Sequence, residues 1–347
     1  MSNVMDNRCP SCNAPITFKP SLGLFKCDYC DNEFKAEELK TVEDATVSQE
    51  QLEVEYVAYN CPDCGAQIIA DETTSATFCL YCGNSSILKH KLSGEFKPHK
   101  IIPFKKEKSD AIMAFKNLSK GRPFIPKSFI SEQNIEKITG LYIPFWLYDF
   151  KVNGVVQLSA TKVRNWTNGD VHFTKTDFYD VFREGTFGYD MVPCDGSKKF
   201  NNDIMNSIEP YNYKEMIDYN PAYLSGFLAE RYDVSKDEAF PEARDRVLRS
   251  SEEQIIADAV GYSTKQVVHK SLNATAVDTK YALLPVWMVN VKYKDKYYLF
   301  AMNGQTGEFI GDIPLDKNKA WKYFFIIGGG LSLALILIAF VIITLGV

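Results

Sequence analysis

Eight cysteines, in four Cys-x-x-Cys pairs, are the residues of this sequence whose type and spacing could do chemistry. Cys9-Pro-Ser-Cys12 is followed, after fourteen residues, by Cys27-Asp-Tyr-Cys30, and Cys61-Pro-Asp-Cys64 is followed, after another fourteen, by Cys79-Leu-Tyr-Cys82. Two thiolates three positions apart sit on one tight turn and face one ion. Two such turns complete a tetrahedron with Zn–S distances of about 2.3 Å. The intervening residues predict a β-hairpin that carries the chain out and back. Ile16-Thr17-Phe18 and Leu24-Phe25-Lys26 flank Pro20 to Gly23, and Gln67 to Ala70 and Ala76 to Phe78 flank Asp71 to Thr74. Four thiolates fill the coordination shell, so two structural Zn²⁺ ions are expected, one per set. Zinc would supply much of the folding free energy of segments this short. A redox Cys-x-x-Cys needs a thioredoxin-like strand and helix around it, and none surrounds these pairs. Iron held by four thiolates fits the same spacing; the duplicated ribbon pattern and ligand softness favour zinc.

The elements that position these cysteines occur twice. The two sets repeat at an offset of 52, with Pro10 and Pro62, Ala14 and Ala66, Tyr29 and Tyr81, and Asn32 and Asn84 in register. Residues 1–36 and 60–90 are therefore read as two tandem zinc ribbons, and the acidic stretch 37–59 as a linker between semi-independent modules. Met1 to His90 holds six Lys and Arg against fourteen Asp and Glu, and each four-thiolate zinc site adds further negative charge. Such a surface repels phosphate, which supplies most nucleic-acid affinity. A nucleic-acid partner is thus disfavoured against a protein partner.

An ordinary globular stretch follows over residues 91–319. Between Lys89 and Lys127 eleven basic residues face only Glu95, Glu107 and Asp110. An anionic lipid surface or nucleic acid would suit that patch, but the reading preferred is a linker plus a helix over Ser109 to Leu118 with its lysines in water. Beyond it, Leu141-Tyr-Ile-Pro144-Phe-Trp146 and Ala282-Leu-Leu-Pro285-Val-Trp287 repeat at an offset of 141. Each predicts a strand opened by its proline, with Trp146, Tyr148, Phe150 and Val152 on one face and Trp287, Val289, Val291 and Tyr293 on another. Turns are expected at Asn168-Gly169, Glu184-Gly185 and Gly304 to Gly307, further strands over Val171 to Phe182 and Tyr297 to Met302, and a helix over Ala239 to Val260.

The fold class expected is therefore multidomain: two zinc ribbons, an α+β middle domain rich in antiparallel strands, and a terminal membrane helix. No phosphate loop, GxGxxG, HExxH or GxSxG occurs, so no enzyme is expected. The ninth cysteine, Cys194, is placed in a turn, with no neighbouring histidine to activate it.

Residues 320–347 are almost wholly apolar, and no charge occurs from Tyr323 to Val347. A helix of that length exceeds the roughly 30 Å of a bilayer's hydrocarbon core. Lys317, Lys319 and Lys322, with Trp321 and Tyr323, form the basic and aromatic border that stays cytoplasmic. The expectation is a single-pass protein of the inner (plasma) membrane with residues 1–319 in the cytoplasm. Gly328, Gly329, Gly330, Ser332 and Ala334 put small residues along the span, where a second helix could approach.

The two ribbons, together with IIPFKKEK (Ile101 to Lys108), LYIPFW (Leu141 to Trp146), AYLSGFLAERYDV (Ala222 to Val234) and ALLPVWMVNV (Ala282 to Val291) before a terminal span, resemble a Firmicute family of membrane-anchored double zinc-ribbon proteins, the YdjG-like family. The resemblance implies a non-enzymatic adaptor associated with PspA-like envelope-stress proteins and SPFH-type scaffold proteins. Zinc ligation carries over to the eight cysteines one by one. The replication-restart helicase label given to such proteins finds no helicase core here. The rival expectation is a membrane-tethered nucleic-acid binder.

Overall fold

The computed structural model describes residues 4–5, 8–39, 56–60, 67–71, 74–78, 85–88, 96–200, 202–294, 296–311 and 313–345. Most of the acidic linker and all four cysteines of the second set lie outside these residues.

Strand β1 (Val4–Met5) precedes a small antiparallel sheet of β2 (Thr17–Lys19), β3 (Leu24–Lys26) and β4 (Glu33–Phe34). The hairpin expected around Pro20 to Gly23 is present, closed by the N–H groups of Leu22 and Gly23 on the Lys19 carbonyl. Next come β5 (Tyr56–Asn60), β6 (Gln67–Asp71), β7 (Thr74–Phe78) and β8 (Ser85–Leu88). Here the pairing differs from expectation. Among the described residues β6 pairs with β5, while β7 pairs with β8 and joins the edge of a larger sheet. An open edge presents a row of unpaired backbone groups, and β7 satisfies one.

The body follows in the order β9 (Lys100–Ile101), α1 (Lys108–Asn117), α2 (Glu132–Glu136), β10 (Thr139–Asn168), β11 (Val171–Asp195), α3 (Asn202–Ser207), β12 (Ile217–Asp218) and β13 (Leu228–Glu230). It continues through α4 (Lys236–Asp258), β14 (Thr264–Tyr293), β15 (Lys296–Asn303), β16 (Phe309–Gly311) and α5 (Lys317–Leu345). Eleven strands share one sheet, mostly antiparallel, with β10 and β14 at its centre.

The repeat at offset 141 is a structural two-fold. In the β10–β14 ladder Ile143 lies opposite Leu284, its own counterpart, so the pseudo-axis passes through that pair. Several features around it appear twice. β13 lies parallel to β10 at Leu141, and β9 lies parallel to β14 at Ala282. The indole N–H of Trp146 donates to the Val234 carbonyl at 2.8 Å, and that of Trp287 to the Lys106 carbonyl at 2.9 Å. Tyr232 packs on Trp146 and Phe104 on Trp287, with ring centroids 4.9 and 5.2 Å apart. Ser235 then caps α4, and Glu107 occupies the same position before α1. The chain is thus β-α-β-β written twice, each β-α pair seated on the hairpin of the other copy.

The symmetry explains the two prolines. They do not open their strands, as expected, but sit inside β10 and β14, where a missing N–H ordinarily costs a ladder bond. The Pro144 carbonyl accepts from Gly196 N–H and that of Pro285 from Gly304 N–H. The return partners, the carbonyls of Gly196 and Gly304, are already taken by Asp233 and Val234 and by Lys105 and Lys106. A donor at position 144 or 285 would be surplus. Gly304 must also be glycine for space, since a Cβ there would lie 2.6 Å from the Phe104 ring.

The two hairpins differ in length. β14–β15 is short, whereas β10, β11 and the first half of β14 form a three-stranded arm beyond Asp149. At about 3.3 Å per residue, the thirty residues of β10 run roughly 100 Å. Helix α4 covers one face of the arm through Val247 and Ile255. Leu158, Ala160 and Val181 lie buried in the cluster that holds Ile255. The turn at Asn168-Gly169 is where the sequence puts it, but Glu184-Gly185 is no turn and β11 continues to Asp195. Gly185 lies opposite Gly154 under Ile255, which the two glycines leave room for.

Helix α5 is set apart by exposure. Lys317–Ile338 has mean hydropathy 1.8, and none of it is buried against the rest of the chain. It is long and apolar enough to cross a membrane.

Candidate metal centre

The cysteine centre is built from two turns of the same form. Cys9 N–H donates to the Ala14 carbonyl and Asn13 N–H to the Cys9 carbonyl, at 2.8 and 2.9 Å; Cys27 N–H donates to Asn32 and Asp31 N–H to Cys27, at 3.0 and 2.9 Å. Each turn closes through a left-handed residue directly after its second cysteine, Asn13 with φ 62° and Asp31 with φ 58°. Asn and Asp are the non-glycine residues that tolerate this region best.

The turns bring Cys9, Cys12, Cys27 and Cys30 together, all four sulfurs within 4.8 Å of one another. Cys9 Sγ lies 3.6 Å from Cys30 Sγ, and Cys12 Sγ 3.5 Å from Cys27 Sγ. A tetrahedral four-thiolate site with 2.3 Å bonds has edges of about 3.8 Å. The sulfur set therefore suits one closed metal ion, and all four thiols are free of disulfides. Cys9 and Cys27 are buried, while Cys12 and Cys30 are partly exposed. Burial pushes the Cys9 thiol up, but hydrogen bonds from the Cys12 and Ser11 backbone outweigh it and bring the group to about 7. Cys12 and Cys30 shift the other way: backbone hydrogen bonds at Ala14 and Asn32 lower them, but burial and the neighbouring sulfurs together push both thiols up. Asp28 and Asp31 pair with Lys19 and Lys26, each at 3.1 Å.

The ribbon is not a loose appendage. Ile16, Phe18, Phe25 and Leu39 belong to the same apolar cluster as Phe104, Tyr142 and Trp287 of the body. Phe18 and Phe25 lie 5.0 and 5.4 Å from the Tyr223 ring, Phe18 N–H donates to the Ser225 carbonyl, and Ser21 bonds Glu107. Ile16, Phe18 and Phe25, read from the sequence as the two strands of a hairpin, also form the face that docks.

Of the eight predicted ligands, the structure brings Cys9, Cys12, Cys27 and Cys30 together. Cys61, Cys64, Cys79 and Cys82 lie outside the described residues. Cys194 is not in a turn but is the penultimate residue of β11, buried, with its thiol against the Ala239 carbonyl at 3.5 Å. Burial pushes that thiol up to about 12, which removes its nucleophilic form near neutrality.

Next to it stands a residue that sequence reasoning passed over. Asp195 is buried, accepts from Ser197 N–H through Oδ1, and has no hydrogen-bond partner on Oδ2 among the described residues. Burial raises its carboxyl to about 7. Its two-fold counterpart is an amide: Asn303 accepts from Gln305 N–H in the same way and donates through Nδ2 to the Ile208 carbonyl.

Fold and site together define a class of protein: a cysteine-cluster module docked on a two-fold, mostly antiparallel body that ends in one apolar helix. No protein-family profile matches the chain and no solved structure does. The chain is 34% identical to the uncharacterized protein YdjG of Bacillus subtilis (strain 168) over 336 residues, which is 97% of this chain and 98% of that one. It belongs to the YdjG family.

Proposed function

We propose that the chain is a non-enzymatic, membrane-anchored zinc-ribbon adaptor. Zinc fills the cluster of Cys9, Cys12, Cys27 and Cys30, a second zinc is held by Cys61, Cys64, Cys79 and Cys82, and α5 spans the inner membrane with residues 1–319 in the cytoplasm. The observation that carries the reading is the pairing of a closed four-sulfur cluster, which leaves no coordination position for substrate, with an exposed apolar helix at the other end of the chain.

A second site draws support from the turns of the first. Asn13 and Asp31, the two left-handed residues, correspond at offset 52 to Gly65 and Gly83, the residue best suited to that conformation. The acidic ribbon surface then recruits cytoplasmic proteins, with PspA-like and SPFH-type proteins the partners that the family resemblance suggests, in an envelope-stress role. The test is affinity capture of the full chain from crosslinked membranes, alongside a Cys12→Ser/Cys64→Ser variant that disables both zinc sites. Loss of a discrete partner set in the variant supports the adaptor. An unchanged set, or capture dominated by nucleic acid whose binding weakens with salt, refutes it.

A further inference from the structure

The basic residues that the sequence scatters over three distant stretches meet at the base of α5. The last turn of helix α1 carries Lys116, and the loop after it carries Lys120 and Arg122, all exposed, with no acid between Ala111 and Ser131. That loop holds the start of α5. The Phe124 carbonyl accepts from Asp316 N–H at 2.8 Å, and the Ile125 carbonyl accepts from Lys319 Nζ at 3.3 Å. The Phe124 ring lies 5.4 Å from that of Tyr323. Five residues after Phe124, Phe129 packs against Tyr293 at 6.2 Å, which places the turn of the short hairpin, with exposed Lys294 and Lys296, on the same end of the body. None of these lysines, nor Arg122 or Lys322, forms an ion pair among the described residues. Asp316 is engaged in capping α5, accepting from the N–H groups of Asn318 and Lys319.

The height of this patch is fixed by α5 itself. Trp321, Tyr323 and Phe324 are exposed aromatic residues on the first turns of the apolar helix, the signature of a headgroup-level belt. Because Phe124 touches Tyr323, the loop bearing Lys120 and Arg122 sits within about 10 Å of that level, inside the reach of unscreened surface charge. The long arm leaves β14 at the end opposite the β14–β15 turn, away from this patch.

The geometry points to an anionic-lipid contact: the α1 C-terminus, the loop after it and the β14–β15 turn form a basic footplate that rests on the anionic headgroups of the membrane α5 crosses. The inference depends on the anchor reading above and adds the lipid class. Each basic residue at such a surface is worth about fivefold in partition. Most of the charge is contributed by the tertiary fold; of the basic residues named, Lys319 and Lys322 lie in the segment that flanks the span.

The experiment uses the full chain in lipid nanodiscs of phosphatidylcholine alone or of phosphatidylcholine with one third phosphatidylglycerol, with amine acylation read residue by residue by mass spectrometry. Acylation of Lys116, Lys120, Lys294 and Lys296 is expected to slow about fivefold in the anionic discs and to recover in 1 M salt, with Lys162 on the arm unchanged. In Lys120→Gln/Arg122→Gln, which alters only exposed side chains, the slowing at Lys294 and Lys296 should shrink. An integrated chain whose lysines react alike in both lipids overturns the footplate and leaves the anchor intact. A chain that carbonate washes off the membrane overturns both. Protection by single-stranded RNA with none by phosphatidylglycerol assigns the patch to nucleic acid and overturns the lipid contact.

Discussion

At the residue scale the chemistry is concentrated in thiolates and one carboxyl. Replacing Cys30 by Ser removes one of the four sulfurs of the cluster, so metal analysis of the purified full chain should show the loss of the one ion proposed there. The melting temperature should fall as well, since Ile16, Phe18 and Phe25 lose the centre that holds their hairpin. Asp195 sets a different test. Its carboxyl is raised to about 7 in the folded chain and has an ordinary carboxylate value when unfolded, so the folded state holds a proton that the unfolded state has released between about pH 4 and 7. Stability contributed by this group is present at low pH and declines as pH rises through that window. Asp195→Asn copies the solution found at Asn303. It should flatten the decline and stabilise the protein at pH 8 by on the order of 2 kcal/mol in denaturant titration. A variant with the wild-type pH slope would show that Asp195 is not the group responsible. Cys194→Ser should leave partner capture unchanged, because that thiol is buried and protonated.

At the element scale the two-fold makes paired predictions. Trp146→Phe and Trp287→Phe each delete one indole N–H and leave the Val234 or Lys106 carbonyl without its donor, so each should cost about 1 kcal/mol or somewhat more in unfolding free energy. The two values should be similar because the environments are duplicates. Gly304→Ala should cost more, about 2 kcal/mol, since its Cβ meets the Phe104 ring and the Pro285 side chain, both fixed in the core. The strand alternation after each proline was readable because half-buried strands have a period of two. Where β11 ends was not: Gly185 has the composition of a turn, and the Phe187 ring together with Ile255 of α4, seventy positions later, makes it a packing position. The strand order was equally hidden, because β9 and β13 are short segments whose partners belong to the other copy.

At the scale of the whole molecule, a cysteine module, a two-fold body with a long arm, and an apolar helix follow one another along a single chain. Ending the chain at Asp316 should move it from the carbonate-resistant membrane fraction to the soluble fraction, and a truncated chain that stayed with the membrane would refute α5 as the anchor. The sequence by itself determined the cysteine sets, the apolar helix and the offset of the internal repeat. Each of these is local: ligand spacing, hydropathy and register lie within a few turns of chain. What only the tertiary structure decided was how separated segments meet. It seated Phe18 and Phe25 on Tyr223, turned two prolines into neutral strand residues by spending their partners' carbonyls elsewhere, and gathered Lys116, Arg122 and Lys294 at the foot of α5. Such contacts depend on burial and on hydrogen bonds between residues far apart in the chain, and pattern along the chain does not encode who meets whom.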